Sequence, residues 1–143
     1  MTLLKRKRVL AAKIETTSGT AETLTGTEAA FNVYDVVTTQ EVDMVQREAQ
    51  GGFAMDVAIA EGRKGKVSFK VDASWDGTAT EPGWADTFLP GCGWVKSGQV
   101  FTPRTEAPGS NVKTLSIAVY TDGVRKLLYG AAGTFKLVCP TGK

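Results

Sequence analysis

Residues 53–74 read FAMDVAIAEGRKGKVSFKVDAS, and their reading decides the fold class. Phe53, Met55, Val57 and Ile59 alternate with Ala54, Asp56, Ala58 and Ala60; Val67, Phe69, Val71 and Ala73 then alternate with Ser68, Lys70, Asp72 and Ser74. A period of two is that of a strand with one face buried. Between the two runs, Glu61-Gly62-Arg63-Lys64-Gly65 has the composition of a turn. The stretch therefore predicts an antiparallel hairpin that reverses at residues 61–65.

Working outward, the same period recurs. Leu115, Ile117 and Val119 alternate with Thr114, Ser116, Ala118 and Tyr120, and Thr121-Asp122-Gly123 supplies a turn, because glycine tolerates the positive φ of a tight hairpin. The chain returns from Val124 to Tyr129, and after Gly130-Ala131-Ala132-Gly133 a last run sets Phe135, Leu137 and Cys139 on one face of a final strand. Weaker strands are expected at Val9–Thr16 and Thr39–Glu48. In the second, Val42 and Met44 share one face and Glu41, Asp43 and Val45 the other, as in a sheet with one wet side. Thr17–Ala30 and Ser97–Asn111 are polar, glycine-bearing and aperiodic, the composition of long loops. One helix is expected over Glu81–Leu89, capped by Thr80, with Pro82 in its first turn and Pro90-Gly91 at its end. Trp84 and Phe88 fall on one of its faces, four residues apart, and turn to the core. The sum is a mostly β (α+β) domain of about six to eight strands with one short helix and long loops.

A chain of 143 residues fits a single domain, here 1–143, with a basic arm at about 1–8 and a long loop at about 17–30. Hydrophobic residues make up 42% and charged residues 22%, values that exclude a wholly disordered chain. With 17 basic and 15 acidic residues the net charge of +2 is too small for a dedicated nucleic-acid binder. Lys5-Arg6-Lys7-Arg8 is the one concentrated basic run, readable as a solvated arm or as an arm that docks on a neighbouring subunit or another acidic partner. Cys92 and Cys139 are expected to be reduced and mostly buried, since two cysteines make no disulfide framework. No run approaches the roughly 20 apolar residues of a membrane span. Val9-Leu10-Ala11-Ala12 is too short for a signal-peptide core, so a soluble protein without membrane insertion is expected.

Chemistry is poorly provided for. The chain has no histidine, which removes Ser-His-Asp and Cys-His schemes and leaves the two thiols too few for zinc. No Gly-rich phosphate fingerprint is present, and Gly62-Arg63-Lys64-Gly65 lies between strands rather than before a helix. Asp43, Asp56 and Asp72 occupy polar positions of alternating strands, with nothing to bring two of them together. The expectation is no enzyme, no cofactor and no metal, and instead a protein that assembles, its long loops ordering on neighbours and its strand edges covered by them. A reading from another class is a small β-sandwich module binding carbohydrate or protein through Trp75, Trp84 and Trp94.

Four segments, Leu10–Thr20, Gly65–Val71, Pro82–Gly93 and Tyr120–Phe135, together resemble the tail tube proteins of long-tailed bacteriophages. Leu10–Thr20 is similar to their opening, a Lys-x-Glu-Thr-Thr-x-Gly-Thr pattern, here Lys13 to Thr20. Gly65-Lys66-Val67-Ser68-Phe69-Lys70-Val71 resembles their central strand. Pro82-Gly83-Trp84 through Leu89-Pro90-Gly91-Cys92-Gly93 resembles their Pro-x-Trp, Leu-Leu, Ala-Cys-Gly helix. Tyr120-Thr121-Asp122-Gly123-Val124, with Gly130-Ala131-Ala132-Gly133-Thr134-Phe135, resembles their last hairpin. Together these span most of the chain in the family's order. The sequence departs from the pattern at Pro90-Gly91, which should stop the helix early. It departs again at Lys143, where many relatives continue, so a minimal version or a related tail component is expected.

The resemblance implies a β-sandwich or split barrel with one short flanking helix. Subunits of this kind form six-membered rings that stack into the virion's tail tube, after synthesis in the host bacterial cytoplasm. Its implied partners are further copies of the chain, the tape measure protein, other tail proteins, and DNA that passes without sequence-specific binding. Sheets of neighbouring subunits would join as an inner barrel, with the hairpins Phe53–Ser74 and Thr39–Glu48 as candidates. Lys5, Arg6, Lys7, Arg8, Lys13, Glu15, Thr20 and Thr25 are candidate ring-to-ring contacts. Asp43, Asp56 and Asp72 are candidate lumen groups, and Trp84, Phe88, Phe69, Ile117 and Phe135 the candidate core. Other ring components of the same fold, a tail terminator, distal tail or hub protein, are the near alternatives.

Overall fold

The computed structural model describes residues 8–24, 30–45, 59–75, 77, 81–105, 113–139 and 141. Among them the fold is mostly β with one helix. The elements are β1 (Arg8–Ile14), β2 (Ala30–Phe31), β3 (Val33–Val45), β4 (Ile59–Val71), α1 (Gly83–Gly91), β5 (Trp94–Ser97), β6 (Val100–Pro103), β7 (Leu115–Thr121) and β8 (Val124–Ala131). The chain forms two compact units, Tyr34–Lys70 and the remainder on either side of it.

In the larger unit a four-stranded sheet has the order β2-β1-β7-β8, and every pairing in it is antiparallel. Leu10 stands opposite Val119, Ala12 opposite Ile117 and Ile14 opposite Leu115, so these six side chains share one face. Helix α1 covers that face. The Phe88 ring lies 4.8 Å from Phe31, which stands opposite Leu10, and Gly91 abuts Leu115. On the other face Ala11 and Ala118 pack with Leu24 and Tyr120. Residues 115–119 are therefore buried on both sides, and burial of a side chain such as Leu10 contributes about 1.5–3 kcal/mol. Within this unit the sheet is covered by a helix and a loop rather than by a second sheet, and no barrel closes among the described residues. The mostly β (α+β) fold with one short helix is the one expected from the sequence.

The β7–β8 hairpin turns as its sequence predicts. Asp122 and Gly123 have φ of 46° and 84°, the two positive values of a type I′ turn, and Thr121 pairs with Val124. Gly123→Ala should cost about 1 kcal/mol, because a Cβ is strained in the left-handed region; urea unfolding of the two proteins would measure it.

Other expectations are corrected. Residues 59–71 form one continuous strand that pairs with β3, so there is no turn at Glu61–Gly65; residues 53–58 lie outside the described residues. Ser97–Pro103 is no loop but the end of β5, the turn and β6 of a hairpin, with Gly98 at φ 61° in its turn; residues 106–111 of the expected loop lie outside the described residues. The helix runs through Pro90 to Gly91. A proline in the last turn forfeits little, and the end tightens through bonds from Cys92 N–H to the Leu89 carbonyl and from Gly93 N–H to that of Pro90, before Gly93 stops it at φ 82°. Pro82 is the N-cap residue in extended conformation, without a side-chain cap; Thr80 lies outside the described residues. Lys96 of β5 ties down the helix, 2.8 Å from Asp86 and 3.2 Å from Glu81. The two carboxylates, Asp86 first, raise its ammonium above the usual lysine range.

The expected final strand does not form: residues 132–139 have no regular structure, and Phe135, Leu137 and Cys139 are exposed. Gly133 N–H bonds to the Gly91 carbonyl at 3.0 Å, which ties the start of this segment to the end of α1. Cys92 is half-buried, and burial pushes its thiol up. Of the expected core, Phe88 and Ile117 are buried and Trp84 and Phe69 half-buried, while Phe135 is 46% exposed beside Trp94, ring centres 5.8 Å apart.

Candidate functional site: an exposed ribbon and a buried carboxylate

Two features stand out, one in each unit. The smaller unit is a ribbon of two thirteen-residue strands, β3 and β4, with no third strand among the described residues. A two-stranded ribbon by itself is marginally stable at best in water. Alternation and ion pairing define its faces. Lys64 Nζ lies 2.6 Å from Asp43 and Lys70 Nζ 2.6 Å from Asp35. Glu41 and Lys66, two residues from Asp43 and Lys64, fall on the same charged face. Asp35 reaches that face from a strained φ of 51°, and its carboxylate, through a hydrogen bond and by charge, raises the Lys70 ammonium. The opposite face carries Val36, Val42 and Met44 with Val67 and Phe69. Val36 is buried, whereas Val42 is 50% and Met44 66% exposed.

The second feature is Glu15, 3% exposed at the end of β1. Its Oε1 accepts from Ser116 Oγ at 2.9 Å and Gly130 N–H at 2.6 Å; its Oε2 accepts from Gly19 N–H at 2.7 Å and from Thr114 Oγ1. Burial pushes the carboxyl up, but the donors Thr114, Gly130, Gly19 and Ser116 together more than reverse this and hold it below the usual glutamate range. The network extends outward: Glu22 N–H donates to Ser116 Oγ, Thr16 N–H donates to a Glu22 carboxylate oxygen, and Lys13 lies 3.5 Å from the other. Gly19 and Gly130 have φ of 81° and 65°, and a Cβ on Gly130 would lie 3.4 Å from Gly19 Cα. Residues 15–24 thus form a loop that is tied to β7 and β8 through Glu15 and Glu22.

Among the candidate ring-to-ring residues, Glu15 is buried, with its carboxylate occupied by four internal donors. Lys13 and Thr20 are exposed. Arg8 pairs through its backbone with Thr121. The side chain of Arg8, and Lys5, Arg6, Lys7 and Thr25 entirely, lie outside the described residues. Asp43 is exposed on the ribbon, and Asp56 lies outside the described residues. Asp72 is exposed on the larger unit, where it lines a shallow cavity of about 300 Å³ with Phe31, Asn32, Val71, Ser74, Gly83 and Trp84. Trp84 Nε1 is buried without an acceptor. Of the three tryptophans, Trp75 is 60% exposed and the other two are half-buried.

Among the described residues no group of three His, Cys, Asp or Glu is placed to hold a metal, and no helix is long and apolar enough to cross a membrane. The Glu15 node had a faint sequence signal, a glutamate at an inward position followed by Thr-Thr-Ser-Gly-Thr. Its donors Thr114, Ser116 and Gly130 are about a hundred residues away and give no local sign. Comparison with models of known families, with curated proteins and with solved structures found no match for this chain.

Proposed function

We propose that this chain is a structural virion protein, a tail tube subunit that works by assembling into stacked, six-membered rings rather than by catalysis. The observation that carries the reading is the ribbon. It joins two long strands, bordered by no third strand among the described residues, to an apolar face left open at Val42 and Met44. Exposed edges and apolar strand surface invite pairing with another chain. Neighbouring copies laid side by side would pair the edges and complete an inner barrel.

The charged face then turns to the lumen. It is of mixed sign, with Lys64 and Lys70 matched by Asp43 and Asp35. A near-neutral wall lets DNA and the tape measure protein pass without gripping them. The similarity of residues 10–20, 65–71, 82–93 and 120–135 to tail tube proteins supports the same reading. The exposed Phe135, Leu137 and Val138 add apolar surface for contacts beyond the ring. Localisation to the virion tail, after synthesis in the bacterial cytoplasm, follows from it.

Negative-stain electron microscopy of the purified protein over a concentration series tests the proposal. Hollow tubes or stacks of rings with a central pore are expected. Discrete rings that never stack would move the assignment to a tail terminator, distal tail or hub protein. A monomer at every concentration would refute assembly and return the chain to the class of binding modules.

A further inference from the structure

The two strands of the ribbon differ in sign. β3 carries Asp35, Glu41 and Asp43 and no basic residue. β4 carries Arg63, Lys64, Lys66 and Lys70 against the single acidic Glu61. Two matches are made inside the ribbon, Asp43 with Lys64 and Asp35 with Lys70. Glu41 and Lys66 are exposed, and among the described residues neither makes an ion pair.

Ribbons can associate edge to edge in three ways. Pairing β3 with β3 sets acidic strands side by side, and pairing β4 with β4 does the same for basic strands. Like charges placed opposite one another across strands are destabilising. Only β3 against β4 alternates sign from strand to strand, and it is also the only arrangement in which each copy uses two different edges. Such heterologous contact generates rings when its rotation closes, whereas the two like-edge pairings are two-fold and close at a dimer. We infer that the ribbon carries a charge code for head-to-tail assembly: the acidic edge of one copy receives the basic edge of the next, and repulsion removes the two-fold alternatives. The inference rests on the ring-forming reading and names the partner surface within it.

Mixing complementary charge reversals tests it. Glu41→Lys makes β3 repel the neighbour's β4, and Lys66→Glu makes β4 repel the neighbour's β3. Each variant alone should raise the concentration at half-assembly, read by light scattering and microscopy, by about tenfold or more. In an equimolar mixture forming alternating rings, half the contacts set the substituted position 41 of one chain against the substituted position 66 of the other and half set native Glu41 against native Lys66, so every contact is of opposite sign and assembly should return close to that of the unaltered protein. Circular dichroism of each variant below its assembly concentration checks that both fold. A defect confined to the variant's own ribbon would not be relieved by mixing. If the unaltered protein assembles and the mixture does no better than either variant, or if the single variants assemble normally, the charge code is overturned and ring formation stands. If the unaltered protein never assembles, both fail together.

Discussion

Glu15→Ala should lower the unfolding free energy by about 3–5 kcal/mol, the largest loss expected from any single truncation of a polar side chain here. Four donors converge on this carboxylate, two of them backbone N–H groups of glycines fixed in left-handed conformations. A hydroxyl can rotate toward another acceptor, but the Gly19 and Gly130 N–H groups cannot turn without moving the loop and β8. Each buried donor left without a partner costs about 1–3 kcal/mol, reduced where water can enter. Glu15→Gln should be only partly better. Its amide offers one acceptor oxygen, and its NH₂ then faces donors on the other side whichever way it is turned. Urea unfolding near neutral pH would rank the three proteins as Glu, Gln, Ala; a Gln variant as stable as the parent would mean that the carboxylate's second oxygen is dispensable.

The same node sets an acid limit. With its folded pKa depressed, Glu15 binds fewer protons in the folded than in the unfolded protein between the folded value and the ordinary glutamate value. Stability therefore rises with pH across that window. The contribution is complete above the ordinary glutamate value of 4.5 and is lost as pH falls through the folded value. The Glu15→Gln variant should show a flatter slope of stability in this acid range while unfolding more easily at neutral pH. Parallel slopes would shift the acid sensitivity to other carboxylates, of which Glu22, held down chiefly by the Thr16 N–H, is the first to consider.

What was legible in the sequence was what local chemistry decides. The Asp122-Gly123 turn needs two positive φ values in succession, and few residue pairs supply them, so its reading held. The body of the helix was legible from Trp84 and Phe88 and its flanking prolines. The turn expected at Glu61–Gly65 failed because Gly62 and Gly65 are neutral evidence: a glycine relaxes a strand as readily as it reverses one. Pairing with β3 settles the matter, and that partner is set by the long-range fold. The final strand failed for the converse reason. Residues 134–139 have the alternation, but alternation describes a face and not an edge to pair with. As for the site, Val42, Met44, Glu41 and Asp43 were assigned to their faces from spacing alone. That those faces stay open, and that Glu15 is buried among donors from β7 and β8, required the topology.

Gly91→Ala illustrates the same dependence on distant partners, and in a helix it is ordinarily a stabilising exchange, by roughly 0.8–1.0 kcal/mol. Here the opposite is expected. A Cβ on Gly91 would lie 2.5 Å from Leu115 Cδ1 and 2.6 Å from its Cγ, distances no real contact shows. Leu115 is 5% exposed on β7, one of the two central strands, and the close atoms include its branch point Cγ and not only a flexible tip. Overpacking of this kind costs about 1–3 kcal/mol and exceeds the propensity gain. Leu115→Ala alone should cost about 2–5 kcal/mol through the cavity it leaves. The two changes in one chain should cost less than their sum, because each relieves the other: the new methyl enters the space that the lost isobutyl group vacates. A double-mutant cycle by urea unfolding would return a favourable coupling of about 1 kcal/mol or more if α1 is docked against β7 at this point. Strict additivity would show that the helix moves away rather than pressing on Leu115. The glycine of this chain's Pro90-Gly91 departure then has a physical role, as a place where the helix lies against Leu115 with no room for a Cβ.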